Sequence, residues 1–199
     1  MHVLIVVATH DRLEFLNDAL DSIAQQTRQA DQVVITGNVG QDFARDYLFV
    51  FSEENISRRV NRAIENSPCH AFILLCDDDK LAPAFVEKTA AVMEQSDVDA
   101  VYTDLQWFGD CSEYYRCGSP PVTSLVRKSS WEKAGRFYEG PYFDWDFLLS
   151  CKDAGCDRYA AVHEPLFLYR GHPGQDRRNI TPEQHERYCA IVRARHKEK

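Results

Sequence analysis

The run Ala71-Phe72-Ile73-Leu74-Leu75-Cys76 ends abruptly in three acids, Asp77-Asp78-Asp79. A stretch this apolar leaves neither face for water, so it predicts a strand buried on both sides, of the kind found inside helix-covered parallel sheets. Such a strand delivers its carboxylates at the carboxyl end, where ligands bind in open α/β sheets. Adjacent acids repel one another, and a cation relieves the repulsion. Hard divalent ions such as Mn²⁺ and Mg²⁺ take carboxylate oxygens and commonly complete their shell with substrate phosphates. The plainer reading is an acidic turn capping a helix that starts near Pro83, because acids favour helix N-termini.

Strand-like and helix-like segments alternate around this run. Residues 3–8 form an apolar strand, and Leu13, Leu16, Leu20 and Ile23 recur at helical spacing, predicting a helix over residues 13–26. A second strand, 32–36, ends in the turn-rich Gly37-Asn38-Val39-Gly40, and 47–51 adds a short edge strand. Ile56, Val60 and Ile64 mark a second helix that stops near Pro68, Phe85, Thr89, Val92 and Met93 a third, and 100–102 begins another strand. This βαβαβ rhythm predicts an α/β fold with a Rossmann-like, mainly parallel central sheet and helices on both faces, with a small mixed portion on the acceptor side. The second half is less regular: strands at 114–116 and 122–126, a helix at 129–134, a helix at 144–154 stopped by Gly155, and a strand at 166–169. Thr181-Pro182-Glu183-Gln184 has the pattern of a capping box and opens a C-terminal helix. At 199 residues, with no repeat or low-complexity linker, the expectation is one domain.

Charge and cysteine usage narrow the function classes. A net charge of −8 makes nucleic acid an unlikely partner. Seven cysteines without a Cys-x-x-Cys pair argue against a zinc ribbon or redox motif and fit reduced thiols in a cytoplasmic protein. No apolar stretch reaches the ~20 residues that span a bilayer, and residues 1–8 are too short and lack the basic lead of a signal peptide.

More specific is a series of motifs in order. Val7-Ala8-Thr9-His10-Asp11-Arg12 opens the first loop, Asn61-Arg62-Ala63-Ile64 lies on the second helix, and the Asp cluster is followed by Pro83. Gly135-Arg136-Phe137, then Phe143-Asp144-Trp145-Asp146-Phe147-Leu148, and finally Tyr169-Arg170-Gly171-His172 complete the set. Together these segments, over residues 1–172, resemble glycosyltransferase family 2, whose members have the GT-A nucleotide-diphosphosugar transferase fold. The resemblance implies a nucleotide-sugar-binding half over about residues 1–104 and an acceptor and catalytic-base half over about 105–180. It implies that Ala8, Thr9, Arg12, Asn38, Arg59, Asn61, Asp77, Asp78 and Arg170 line the donor site. It also implies Mn²⁺ or Mg²⁺ on Asp77, Asp78 and Asp79 with His172 as a further contact, and an inverting sugar transfer with Asp144 as base.

The chain departs from the family pattern at several points. Thr36-Gly37-Asn38 stands where an aspartate usually meets the base of the nucleotide, and Val60 replaces an arginine, with Arg59 one residue earlier. If Pro83 sets the register, Cys76 takes the place of the first aspartate and Asp78 holds the metal; if the strand end sets it, Asp77 and Asp79 form the pair. Asp78 is the first choice. For His172 the alternative is an exposed turn.

An acceptor hydroxyl ionises far above neutral pH and needs a general base as it attacks the anomeric carbon. Asp144 is the candidate, its alternative being an N-terminal helix cap; Asp146 is a second-line or acceptor contact. Trp145, between them, is the aromatic best placed to stack on a sugar. The basic C-terminal residues, Arg193 to Lys199, either contact an anionic partner or simply complement a helix C-terminus; Arg177 and Arg178 are candidate diphosphate contacts. The expected donor is a nucleotide-diphosphosugar, a UDP-sugar before GDP- or dTDP-sugars, and the acceptor a hydroxyl in glycan or polysaccharide synthesis. A homo-oligomer is left open. Two other classes compete: a non-catalytic nucleotide- or sugar-binding protein of the same fold, and a nucleotidyltransferase. The latter usually cradles triphosphate in a glycine-rich loop, and Ala8-Thr9-His10-Asp11-Arg12 holds no glycine.

Overall fold

The computed structural model describes residues 1–9, 12–37, 48–51, 54–175 and 179–196. Asn38, the turn that follows it, Arg177 and Arg178 lie outside these residues. Nine strands form one sheet. They are β1 (Val3–Ala8), β2 (Gln32–Gly37), β3 (Leu48–Phe51), β4 (Ala71–Cys76), β5 (Lys80–Leu81), β6 (Ala100–Gly109), β7 (Tyr114–Tyr115), β8 (Leu125–Arg127) and β9 (Tyr159–Gly171). The order is β3-β2-β1-β4-β8-β6-β9-β5, with β7 on the side of β6. The helices are α1 (Leu13–Ala24), α2 (Ile56–Glu65), α3 (Phe85–Gln95), α4 (Lys128–Lys133), α5 (Phe143–Asp153) and α6 (Pro182–Arg195).

Alternation along the two central strands builds two cores. On one face Val3, Ile5, Val7, Ile73 and Leu75 pack with Leu16, Leu20 and Ile23 of α1 and Phe85, Val86 and Met93 of α3. On the other, Leu4, Val6, Phe72 and Leu74 pack with Val60 and Ile64 of α2, Trp131 of α4 and Phe147 and Cys151 of α5. The expectation of helices on both faces is met: β1 and β4 are apolar throughout because each alternate residue has its own core to fill.

The sheet is parallel through its first half and mixed in its second, in line with the expectation of a small mixed portion there. β1, β2, β3 and β4 run parallel, as do β6 and β9. β8, however, enters antiparallel between β4 and β6, and β5 pairs antiparallel with β9. No described helix intervenes between β6 and β8, so the chain returns antiparallel beside β6, whereas a parallel return requires a long crossover, usually a helix. The strand expected at 166–169 is the end of the longer β9. Pro165 interrupts its apolar pattern opposite Asp104, where the register shifts on both sides; a bulge is one of the few places a sheet tolerates proline.

Two terminal signals are confirmed. Thr181 Oγ1 accepts from the Gln184 N–H at 3.2 Å and Gln184 Oε1 accepts from the Thr181 N–H at 3.0 Å, closing the capping box. Gly155, at φ 63°, ends α5, with the Cys156 N–H bonded to the Cys151 carbonyl at 2.8 Å.

Candidate active site

The site lies at the carboxyl ends of β1 and β4, which stop in register at Ala8 and Cys76. The Asp77 N–H bonds the Ala8 carbonyl at 3.1 Å and the Thr9 N–H bonds the Thr36 carbonyl at 2.9 Å, so three strand ends share one rim. Gly37 completes it: a Cβ there would lie 2.3 Å from Thr9 Cγ2 and 2.9 Å from the Thr9 carbonyl oxygen.

Each aspartate has its own partners. Asp77 is fully buried; its Oδ2 accepts from Thr9 Oγ1 at 2.7 Å and its Oδ1 from Arg12 Nη2 at 2.6 Å. Asp78 Oδ2 accepts from Arg12 Nη1 at 2.7 Å and lies 3.0 Å from His172 Nε2. Asp79 Oδ1 accepts from the Arg170 N–H at 2.9 Å. Burial, and then the Asp78 carboxylate, push Asp79 well above the ordinary carboxylate range. Burial works against the Arg12 cation, yet the charges of Asp77 and Asp78 outweigh it and raise Arg12.

Cys76 Sγ and one carboxylate oxygen each of Asp78 and Asp79 lie within 4.8 Å of one another, close enough to share a divalent ion. This donor set fits Mn²⁺ or Mg²⁺ in its oxygens. Asp77 is outside the group because Thr9 and Arg12 hold its two oxygens. His172 reaches the group only through Asp78. It is buried against Phe15, with ring centroids 4.9 Å apart, so it is not an exposed turn.

Three residues expected in the donor or catalytic site are engaged elsewhere. Arg170 Nε donates to the Asp78 carbonyl at 2.7 Å and Nη2 to Asp18 at 2.6 Å, while the guanidinium lies 4.5 Å from the ring centres of both Phe15 and Phe108. It therefore braces the acidic loop and does not line the cleft. Asn61 exchanges hydrogen bonds with the Phe137 backbone, donating to its carbonyl at 2.8 Å and accepting from its N–H at 3.1 Å. Asp146 is buried, and its Oδ1 accepts from Arg195 Nε at 2.7 Å and lies 3.1 Å from His196 Nε2, which pins α6 to α5. The basic C-terminal residues thus have an internal use: Arg195 also stacks 3.8 Å from the Tyr138 ring centre.

The remaining candidates meet in one cleft of about 1610 Å³, larger than the roughly 300–1,000 Å³ of a typical small-molecule pocket. Ala8, Thr9, Arg12, Arg59, Asp78 and Asp79 line it together with Trp107 and Tyr169, whose rings meet edge to face at 4.5 Å. Asp144 lines it too, in the first turn of α5. The helix cap is Tyr142, at φ 53°, and not Asp144. Asp144 is open to water, but protein crowds its carboxyl; this desolvation raises it above the ordinary range against the pull of nearby backbone N–H groups. Trp145 instead lines a separate apolar cavity of about 130 Å³ behind Asp144, with Phe137, Cys151 and Tyr159.

Sequence reasoning missed the wall contributed by α6. Tyr142 Oη lies 2.7 Å from His185 Nδ1, its ring packs edge to face on His185 and Tyr188, and all three line the cleft. The only signal was the spacing of His185 and Tyr188 on one helix face, which reads equally well as packing.

No family model matches the chain. It is similar to the uncharacterized glycosyltransferase YwdF of Bacillus subtilis, 25% identical over an alignment of 182 residues that covers 75% of this chain and 67% of the relative. Among solved structures it is similar to S. aureus TarS in complex with UDP-GlcNAc, with TM-score 0.78 and 14% identity over 98% of this chain and 66% of that one. The mannosyltransferase PcManGT of Pyrobaculum calidifontis, in complex with GDP-Man and Mn²⁺, gives TM-score 0.71 at 14% identity over 98% and 63%. A longer TarS structure is covered over 39% of its length. The chain thus has the GT-A type of fold and glycosyltransferase relatives, and spans about two thirds or less of the length of those it matches.

Proposed function

We propose that this protein is a metal-dependent glycosyltransferase that moves a sugar from a nucleoside-diphosphate donor to an acceptor hydroxyl, with inversion at the anomeric carbon. One observation carries the reading: a single cleft is lined both by the acids at the β4 end and by Asp144. The glycosyltransferase relative and the nucleotide-sugar ligands of the TarS and PcManGT structures support it. They favour a UDP- or GDP-sugar as donor.

Asp78 and Asp79 would hold the ion. An ion held by these carboxylates would supply positive charge to offset that of a diphosphate leaving group. Thr9 and Arg12 border the same space, and Arg59, buried in the cleft wall, adds a cation. Asp144 Oδ takes the proton from the acceptor hydroxyl as the oxygen attacks. Its raised pKa makes its carboxylate a stronger base than that of an ordinary aspartate. Tyr142, His185 and Tyr188 supply aromatic and hydrogen-bonding surface for the acceptor.

The test is transfer from UDP- and GDP-sugars to glycan and lipid-linked acceptors with Mn²⁺, read as released nucleoside diphosphate. Asp144→Asn should retain donor binding and lower the transfer rate by about 10²–10⁴-fold. An Asp144→Asn protein with wild-type turnover would refute the base assignment.

A further inference from the structure

The donor group at the β4 end is not made of oxygen alone. Cys76 Sγ joins Asp78 and Asp79 within 4.8 Å, and Cys76 itself lines the cleft. Its backbone is fixed at the rim by the β1–β4 ladder, where it pairs with Ala8. The two neighbouring carboxylates are held from the opposite side, Asp78 by Arg12 and His172 and Asp79 by the Arg170 N–H. Asp77 meanwhile is turned onto Thr9 and Arg12 and contributes nothing to the group.

We propose that Cys76 is a ligand of the divalent ion, so that the site binds Mn²⁺, and more strongly Co²⁺, in preference to Mg²⁺. This rests on the metal-dependent reading above and adds the selectivity of that site. Mg²⁺ is a hard ion that dehydrates reluctantly and prefers oxygen donors in near-ideal octahedral geometry. Ions later in the first transition row accept sulfur, and their affinity for mixed donor sets rises from Mn²⁺ to Co²⁺. On binding, the sulfur–metal bond forms as the thiol proton leaves to solvent; no electrons change hands. Replacing an oxygen donor by sulfur also leaves one carboxylate fewer beside the diphosphate.

The experiment uses the intact protein with Co²⁺, Mn²⁺ and Mg²⁺ as probes, each with and without nucleoside diphosphate. Co²⁺ should produce the near-ultraviolet charge-transfer band of a sulfur–cobalt bond. The band should vanish in Cys76→Ser and persist in Cys111→Ser. It should also persist in Cys189→Ser, which removes a thiol 3.6 Å from His185 Nε2. Calorimetry should give a Mn²⁺-over-Mg²⁺ affinity ratio that falls by about tenfold or more in Cys76→Ser. Cys76→Asp, which restores an all-oxygen set, should bind both ions with a small ratio and no band. If Mn²⁺ binds wild type and Cys76→Ser equally and Co²⁺ gives no band, the sulfur ligand is refuted and the metal site on Asp78 and Asp79 stands. If no ion binds either protein, the ligand assignment and the metal-dependent reading fall together. A band that persists in Cys76→Ser but disappears in Cys189→Ser would place the thiophilic site on α6 and overturn the proposal.

Discussion

Burial and the neighbouring Asp78 carboxylate favour the protonated form of Asp79, and the sign of that shift determines how the ion-free protein responds to pH. A carboxyl whose folded value is raised binds its proton more tightly in the native state than in the unfolded chain. Stability is therefore highest below the unfolded value and declines as pH rises toward the raised folded one. Asp79→Asn keeps Oδ1 as acceptor for the Arg170 N–H and removes the charge. It should raise the ion-free melting temperature at neutral pH by a few degrees and weaken Mn²⁺ binding; thermal scans and a metal titration on one sample check both. The same direction of shift at Asp144 has a kinetic consequence. Only the carboxylate accepts a proton, so transfer should fall on the acid side at a pH above that of an ordinary aspartate, and the residual rate of Asp144→Asn should lack that limb. At this scale the sequence was legible where chemistry follows type and position. The three acids stand out as charges at the end of an apolar run, whereas Asp144 is singled out by the family resemblance. The partners of Asn61, Arg170 and Asp146 were not legible, because nothing local shows that an amide will meet the Phe137 backbone, or that a guanidinium will sit between two rings from distant segments.

Helices α5 and α6 both line the cleft, and their union depends on a buried charge. Asp146 offers one oxygen to Arg195 and His196, and His196 Nδ1 reaches Asp153 at 2.8 Å. Hydrogen bonds to charged groups contribute about 1.5–3 kcal/mol when well buried. Arg195 is 42% exposed, so Asp146→Ala should cost about 1–2 kcal/mol, roughly 3–6 °C in melting temperature for a chain of this size. Loosening α6 moves His185 and Tyr188, so the acceptor KM should rise while nucleotide affinity holds; steady-state kinetics and calorimetry separate the two. The regular elements of the first half were readable because their periodicities are clean. The strand expected at 122–126 is found only as the shorter β8, Leu125–Arg127, and the early part of β9 was not readable. The first is three residues long and the second contains Pro165 at a bulge, and both owe their pairing to partners far away in sequence.

Taken as a whole, the molecule is one mixed sheet between two cores, with no described helix long and apolar enough to cross a membrane. A ligand that binds only the folded sheet should stabilise all of it. A nucleoside diphosphate with Mn²⁺ at about 100 times its Kd should add about 2.7 kcal/mol, or roughly 5–10 °C in a thermal-shift assay, and Asp78→Asn should abolish the gain. Strand order was partly visible from the alternation of elements, but the antiparallel entry of β8 was decided by global packing. Arg170 shows how far such packing reaches: it joins Asp18 and Phe15 of α1 to the acidic loop and Phe108, across 152 residues. Chain segments this distant meet late, after the entropy of closing long loops has been overcome. Refolding followed by stopped flow should therefore show the ion pocket maturing only in the final phase. Manganese added during refolding should leave its rate unaltered, and in the finished protein should slow the escape to the unfolded state.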